Sequence, residues 1–152
     1  MEASEKRICL LDLNYTLVGN QMQTKMIRPF SKRLFYEDYR KDLIEAVKND
    51  YVIIITARPD YQARESLANV LKKTGWNPKE AYFNDINARP PVFKESALQR
   101  FIFPKHGNDP AKYYAVESNP QTRAMYAKYG IKAEPYSTFI KKFKDVQEIG
   151  LF

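Results

Sequence analysis

The chain has 152 residues, 44% of them hydrophobic, which suits one domain with one sizeable core. No run reaches the roughly 18 apolar residues of a membrane span, so a membrane partner is not expected. The net charge of +7 favours anionic partners such as nucleotides, nucleic acid or phosphorylated metabolites, although a plain solubility charge reads the same way.

Taken in order, short apolar runs bounded by breakers predict five strands. They cover residues 7–13, Tyr51–Thr56 ("YVIIIT"), 81–84 ("AYFN"), Tyr113–Ser118 ("YYAVES") and a short piece near 131–134. Helical periodicity fills the gaps. Tyr39, Leu43, Ile44 and Val47 share a face over 37–49, and Ala63, Leu67, Val70 and Leu71 do so over 60–74, where Gly75 supplies the stop. Phe93, Ala97, Leu98 and Phe101 mark a third helix. Ala124, Tyr126, Ala127 and Tyr129 mark a fourth before Gly130, and Phe139, Ile140 and Phe143 mark a last one. Trp76 is expected to pack at a helix end, and His106 to lie in a surface loop.

Strands that are apolar throughout and alternate with helices predict a parallel sheet covered on both faces, an α/β/α sandwich of Rossmann-like type over residues 1–152. Ligands of such folds bind past the carboxyl ends of the strands. Asp12, Asn14 and Thr16 follow the first strand, Thr56 and Arg58 the second, and Glu117 and Ser118 the fourth, while Lys94 opens a helix between the third and fourth. This set suits phosphoryl transfer. A carboxylate can attack phosphorus, carboxylates and neutral oxygens can hold Mg²⁺, and a lysine with hydroxyls can stabilise phosphoryl oxygens. Each residue taken singly also has a structural explanation, as a cap, a strand end or a solvated charge.

These residues resemble the motifs of the haloacid dehalogenase-like (HAD) superfamily of phosphotransferases. "LLDLNYTLV" is similar to the first motif, Asp-x-Asp-x-Thr after an apolar strand, except that Asn14 replaces the second acid. "VIIITAR" resembles the second motif through Thr56, "VFKESALQRFI" the third through Lys94, and "YAVESNPQTRAMYAKYGI" the fourth. The layout is most similar to the 3′-phosphatase domain of bacteriophage-type polynucleotide kinase. The resemblance implies a Mg²⁺-dependent phosphatase with Asp12 as nucleophile, acting on a nucleotide or nucleic-acid 3′-phosphate. It implies metal ligation by Asp12, the Asn14 carbonyl and Glu117 or Ser118, and phosphoryl binding by Thr56 and Lys94 with Arg58 and Thr16 nearby. Because Asn14 cannot shuttle a proton, it also implies impaired turnover, or else a module that binds a phosphorylated ligand or protein partner without turning it over.

Residues 18–36 are too few for an inserted lid and are expected to form a flap of a capless HAD-type domain. Arg28 and Arg33 on that flap would contribute a basic rim for substrate, unless they are simply solvated. The single cysteine, Cys9, excludes an intrachain disulfide framework, and its place inside the first apolar run means that no disulfide-linked partner is expected. The charged opening "MEASEKR" has no apolar signal region, so a cytoplasmic setting is expected.

Overall fold

A computed structural model describes residues 7–148. Five strands form one parallel sheet: β1 (Ile8–Leu11), β2 (Tyr51–Pro59), β3 (Glu80–Asn84), β4 (Tyr113–Val116) and β5 (Lys132–Glu134). Their order is β3-β2-β1-β4-β5. β1 is central, with Ile8 to Leu11 in register with Tyr51 to Ile54 on one side and with Tyr113 to Val116 on the other.

Among the described residues, eight α-helices surround the sheet. They are α1 (Gln21–Thr24), α2 (Phe30–Tyr36), α3 (Lys41–Val47), α4 (Ala63–Thr74), α5 (Pro90–Ala97), α6 (Phe103–His106), α7 (Pro120–Lys128) and α8 (Tyr136–Glu148). The result is a Rossmann-like three-layer α/β/α sandwich, as the alternating pattern predicts. Successive strand residues point to opposite faces, and both faces are apolar. Cys9, Leu11, Val52, Ile54 and Val116 pack with Leu43 and Val47 of α3, Val70 of α4 and Phe139 of α8. Ile8, Leu10, Ile53, Ile55 and Ala115 pack with Phe93 and Ala97 of α5 and Met125 and Tyr126 of α7. No described helix is long and apolar enough to cross a membrane.

Several local expectations shift. α3 starts at Lys41 rather than near residue 37, because the backbone at Glu37 is extended and Tyr39 pairs with Val18 in an isolated antiparallel bridge. β2 runs on through "TARP" to Pro59, with a register shift between Thr56 and Pro59 that re-aims the side chains there. Leu71, expected on the buried face of α4, is exposed, while Trp76 does pack beneath the first core. Gly75 ends α4 in a left-handed conformation, at φ 74°, as its position suggested.

His106 is not a surface-loop residue. It ends α6 half-buried, with Nε2 at 2.7 Å from Glu80 Oε2 and its ring against Tyr51. The flap is two short helices, with α2 docked on α4. Lys73 Nζ donates to the carbonyls of Leu34 and Phe35, and Asn69 Nδ2 to that of Leu34.

Candidate functional site

The chain runs from β1 to β2 and β3 in one direction across the sheet, then returns to β4 and β5 on the other side of β1. Strand order therefore switches between β1 and β4, and the crevice past their carboxyl ends is where ligands of such sheets sit. Asp12 is the first residue past β1, and its N–H donates to the Val116 carbonyl at 3.0 Å. Glu117 and Ser118 are the first two residues past β4. Adjacent parallel strands thus set the two acids side by side.

From Leu13 to Leu17 the backbone folds back in one wide turn, closed by Val18 N–H donating to the Leu13 carbonyl at 2.9 Å. Tyr15 takes a positive φ of 65° there, which costs a non-glycine residue about 1–3 kcal/mol and persists only where surroundings impose it. Arg40 Nη1 supplies one such restraint, donating to the carbonyls of Tyr15 and Thr16 at 3.2 and 3.0 Å. The turn brings Thr16 back beneath Asp12, and Thr16 Oγ1 donates to Asp12 Oδ2 at 2.7 Å. Ser118 Oγ donates to the same oxygen at 2.9 Å.

Lys94, buried on α5, joins the two acids. Its Nζ lies 2.8 Å from Asp12 Oδ1 and 2.7 Å from Glu117 Oε1. Glu117 Oε2 accepts from the Asn119 N–H at 3.0 Å. Burial alone would raise the Asp12 pKa, but the Lys94 charge and the hydrogen bonds from Lys94, Thr16 and Ser118 outweigh it and hold the carboxyl below its ordinary range. Burial also works against the Lys94 charge, and its two carboxylates more than offset that, so its pKa is raised. Burial pushes Glu117 up to about 7, with Lys94 pulling against it and the Asp12 charge adding to it. The arrangement keeps Asp12 ionised and oriented.

Above these groups lies a cleft of about 170 Å³ lined by Asp12, Asn14, Tyr15, Ala57, Lys94, Glu117 and Ser118. Drug-sized ligands need roughly 300–1,000 Å³, so a compact charged group fits inside while the rest of its carrier stays in the open.

The other expected residues fall into two groups. Thr16 and Thr56 are fully buried. Thr16 supports Asp12, and Thr56 Oγ1 accepts from the Arg58 N–H at 3.1 Å, shaping the turn that carries Arg58. Arg58 is turned inward. Nε donates to Asn14 Oδ1 at 2.9 Å, Nη1 to Ser66 Oγ at 2.9 Å, and Nη2 to Glu37 Oε2. On the flap, Arg33 approaches Glu37 at 3.4 Å, and Arg28 Nη1 donates to the Lys25 and Ile27 carbonyls. Neither is brought to the cleft wall.

Two residues that support this arrangement carried no sequence signal. Glu37 is fully buried, yet it reads as one charge in a charged stretch. Arg123, which reads as an ordinary helix cation, donates from Nη1 to the Glu117 and Ser118 carbonyls and braces the loop that presents them.

Among the described residues no three His, Cys, Asp or Glu side chains gather as a metal site. The oxygen set that does converge is mostly neutral. Ser118 Oγ lies 2.9 Å from Asp12 Oδ2 and 3.4 Å from the Asn14 carbonyl, while Glu117 faces Lys94. One carboxylate with neutral oxygens fits Mg²⁺, which keeps several waters and completes its shell on substrate phosphate, but it makes a weak site in the absence of phosphate.

No protein-family model matches this sequence, and no curated protein does. Among solved structures, the fold is similar to a chain in a structure of the Pnkp1/Rnl/Hen1 RNA repair complex. The match has a TM-score of 0.62 and 14% sequence identity, and covers 89% of this chain and 46% of that one. At that identity the likeness is one of fold, and this chain spans about half the length of the one it matches.

Proposed function

We propose that this chain is a Mg²⁺-dependent phosphatase of HAD-like type, acting on the phosphorylated end of a nucleotide or nucleic acid, with a 3′-phosphate as the first substrate to test. The observation that carries the reading is the buried Asp12 carboxylate, kept ionised at the floor of a small cleft by Lys94, Thr16 and Ser118. The net charge of +7 and the fold likeness to a chain of an RNA repair complex support a nucleic-acid substrate.

In this mechanism an Asp12 oxygen attacks phosphorus and the bond to the leaving oxygen breaks in line. The phosphoryl group then rests on Asp12 as an acyl phosphate. Water attacks that phosphorus, the bond to Asp12 breaks, and inorganic phosphate leaves. Lys94 offsets the charge that builds on the phosphoryl oxygens. Asp12, the Asn14 carbonyl and the Ser118 hydroxyl would hold Mg²⁺, which neutralises phosphate charge when bound. Asn14 has no proton to give, so the leaving oxygen takes its proton from solvent, at a cost of about 10²–10⁴-fold in rate.

That last feature favours a second reading, a module that binds a phosphorylated nucleotide, nucleic acid or protein without turning it over. A screen with a 3′-phosphorylated oligonucleotide, mononucleotides and an acyl phosphate, with and without Mg²⁺, separates the two. The phosphatase reading expects phosphate release that Asp12→Asn abolishes. Absence of release from every substrate, with binding intact, leaves the second reading.

A further inference from the structure

We propose that Arg58, charge-paired with Glu37, is a positioning residue. It fixes the Asn14 amide so that its N–H₂ group faces the cleft as a hydrogen-bond donor to the bound phosphoryl group. This inference rests on the phosphoryl-site reading of the cleft.

Arginine carries only donors, so the Asn14 atom that accepts from Arg58 Nε at 2.9 Å must be Oδ1. Nδ2 is therefore turned the other way, and Asn14 is a cleft-lining residue. In-line attack by Asp12 sends the leaving oxygen away from the cleft floor. Asn14, half-exposed and two residues beyond the buried Asp12, lines the same cleft. A fixed amide there stabilises a departing oxygen by donating a hydrogen bond, without transferring a proton.

Arg58 is poorly placed to bind phosphate itself. It is 3% exposed, and each of its three nitrogens already donates, to Asn14, Ser66 and Glu37. Glu37 is itself held on its other oxygen by Tyr39 Oη at 3.0 Å. The Phe30 ring of α2 lies 5.6 Å from the Arg58 guanidinium carbon, within cation–π range, and closes the pair from the flap side. The flap therefore reaches the cleft through one buried ion pair and one amide.

A cycle of variants distinguishes positioning from direct binding. Inorganic phosphate affinity is measured by isothermal titration for the parent chain, Asn14→Ala, the neutral double replacement Arg58→Met/Glu37→Gln, and all three changes together. Removing the pair in one step avoids leaving Arg58 or Glu37 as a lone buried charge, and of the groups around them only Arg33, the more exposed partner of Glu37, loses its carboxylate. Losing one hydrogen bond to the charged phosphate weakens its binding about 10–100-fold. Positioning predicts that loss for Asn14→Ala and for the double replacement, with no further loss when they are combined. Additive losses would mean that Arg58 meets the phosphate directly and would overturn the proposal.

The side-chain amide signals of Asn14 give a second readout. They should stand apart from the free-amide position in the parent, move on phosphate addition, and collapse to the free position in the double replacement. If inorganic phosphate leaves every cleft signal unmoved, the phosphoryl reading fails. The amide signals of the ligand-free protein then decide the pairing alone: collapse in the double replacement upholds it and no change overturns it.

Discussion

Replacing Lys94 by methionine would test the centre of the site most directly. Its Nζ lies 2.8 Å from one buried carboxylate and 2.7 Å from another, so Lys94→Met leaves Asp12 and Glu117 facing each other without a cation. Breaking a buried ion pair typically costs about 3–5 kcal/mol, because the remaining charge is stranded. For a chain of this size that corresponds to a fall in Tm of roughly 6–20 °C. The loss should depend on pH in a stated sense. Without Lys94 the folded state holds a proton on the acid pair that the unfolded chain releases, so stability of the variant rises as pH falls from about 8 to about 5.5. Each unit by which the folded pKa exceeds the unfolded one is worth about 1.4 kcal/mol. Urea unfolding followed by circular dichroism at both pH values, for parent and variant, measures the gap. A loss under about 0.5 kcal/mol, or a gap that does not narrow on acidification, would refute the idea that Lys94 neutralises the pair.

Ser118→Asp adds a second anionic oxygen beside Asp12 Oδ2 and the Asn14 carbonyl, so it should tighten Mg²⁺ by about tenfold or more, read from the metal dependence of turnover or by titration of Mn²⁺. Glu80 accepts from Tyr51, Tyr82, His106 and Lys105, and these donors overcome burial and lower its pKa to about 2. A lowered folded pKa gives stability that is present above the unfolded value and is lost as pH falls toward the folded one. Glu80→Gln should therefore cost roughly 1–3 kcal/mol at neutral pH, after allowing for screening, and progressively less as pH falls through about 2, by the same unfolding assay. If the substrate is a polymer end, Arg28→Ala should weaken binding to all sequences alike and reduce the slope of log affinity against log salt by about one. An unchanged slope places the polymer elsewhere.

The parts of the fold visible in the sequence are those written in local pattern. Tyr51 to Ile55 reads as a strand because its β-branched run needs cover on both faces, and it has it. Asp12 and Glu117 could be expected together because each stands just past a strand that a parallel sheet aligns; Lys94, expected to open its helix, sits instead in the middle of α5 and reaches both acids with its long side chain. Long-range partnership is what the pattern does not encode. Glu37 and Arg58 are 21 positions apart and form one buried pair, and no periodicity marks either. Residues 37–40 were expected to be helical because Tyr39 falls on the apolar face of the following segment, whereas pairing with Val18 keeps that backbone extended. For Ser118, composition gave a residue type but not its orientation. Only the closeness of β1 and β4 sets its hydroxyl, rather than the Glu117 carboxylate, beside Asp12 Oδ2.

The antiparallel bridge between Val18 and Tyr39 is flanked by Gly19 N–H donating to the Asp38 carbonyl and Arg40 N–H donating to the Leu17 carbonyl, at 2.9 and 2.8 Å. Together they cinch the intervening segment at its neck. The free-energy cost of lengthening a loop grows only slowly with its length, and the cinched neck holds the two ends of the segment together whatever its length. Extra sequence spliced in around residues 25–28 would hang outside this clasp, leaving Asp12 and its turn where they are. In that sense the short flap is a socket, a place where the architecture can be enlarged without rebuilding its chemistry.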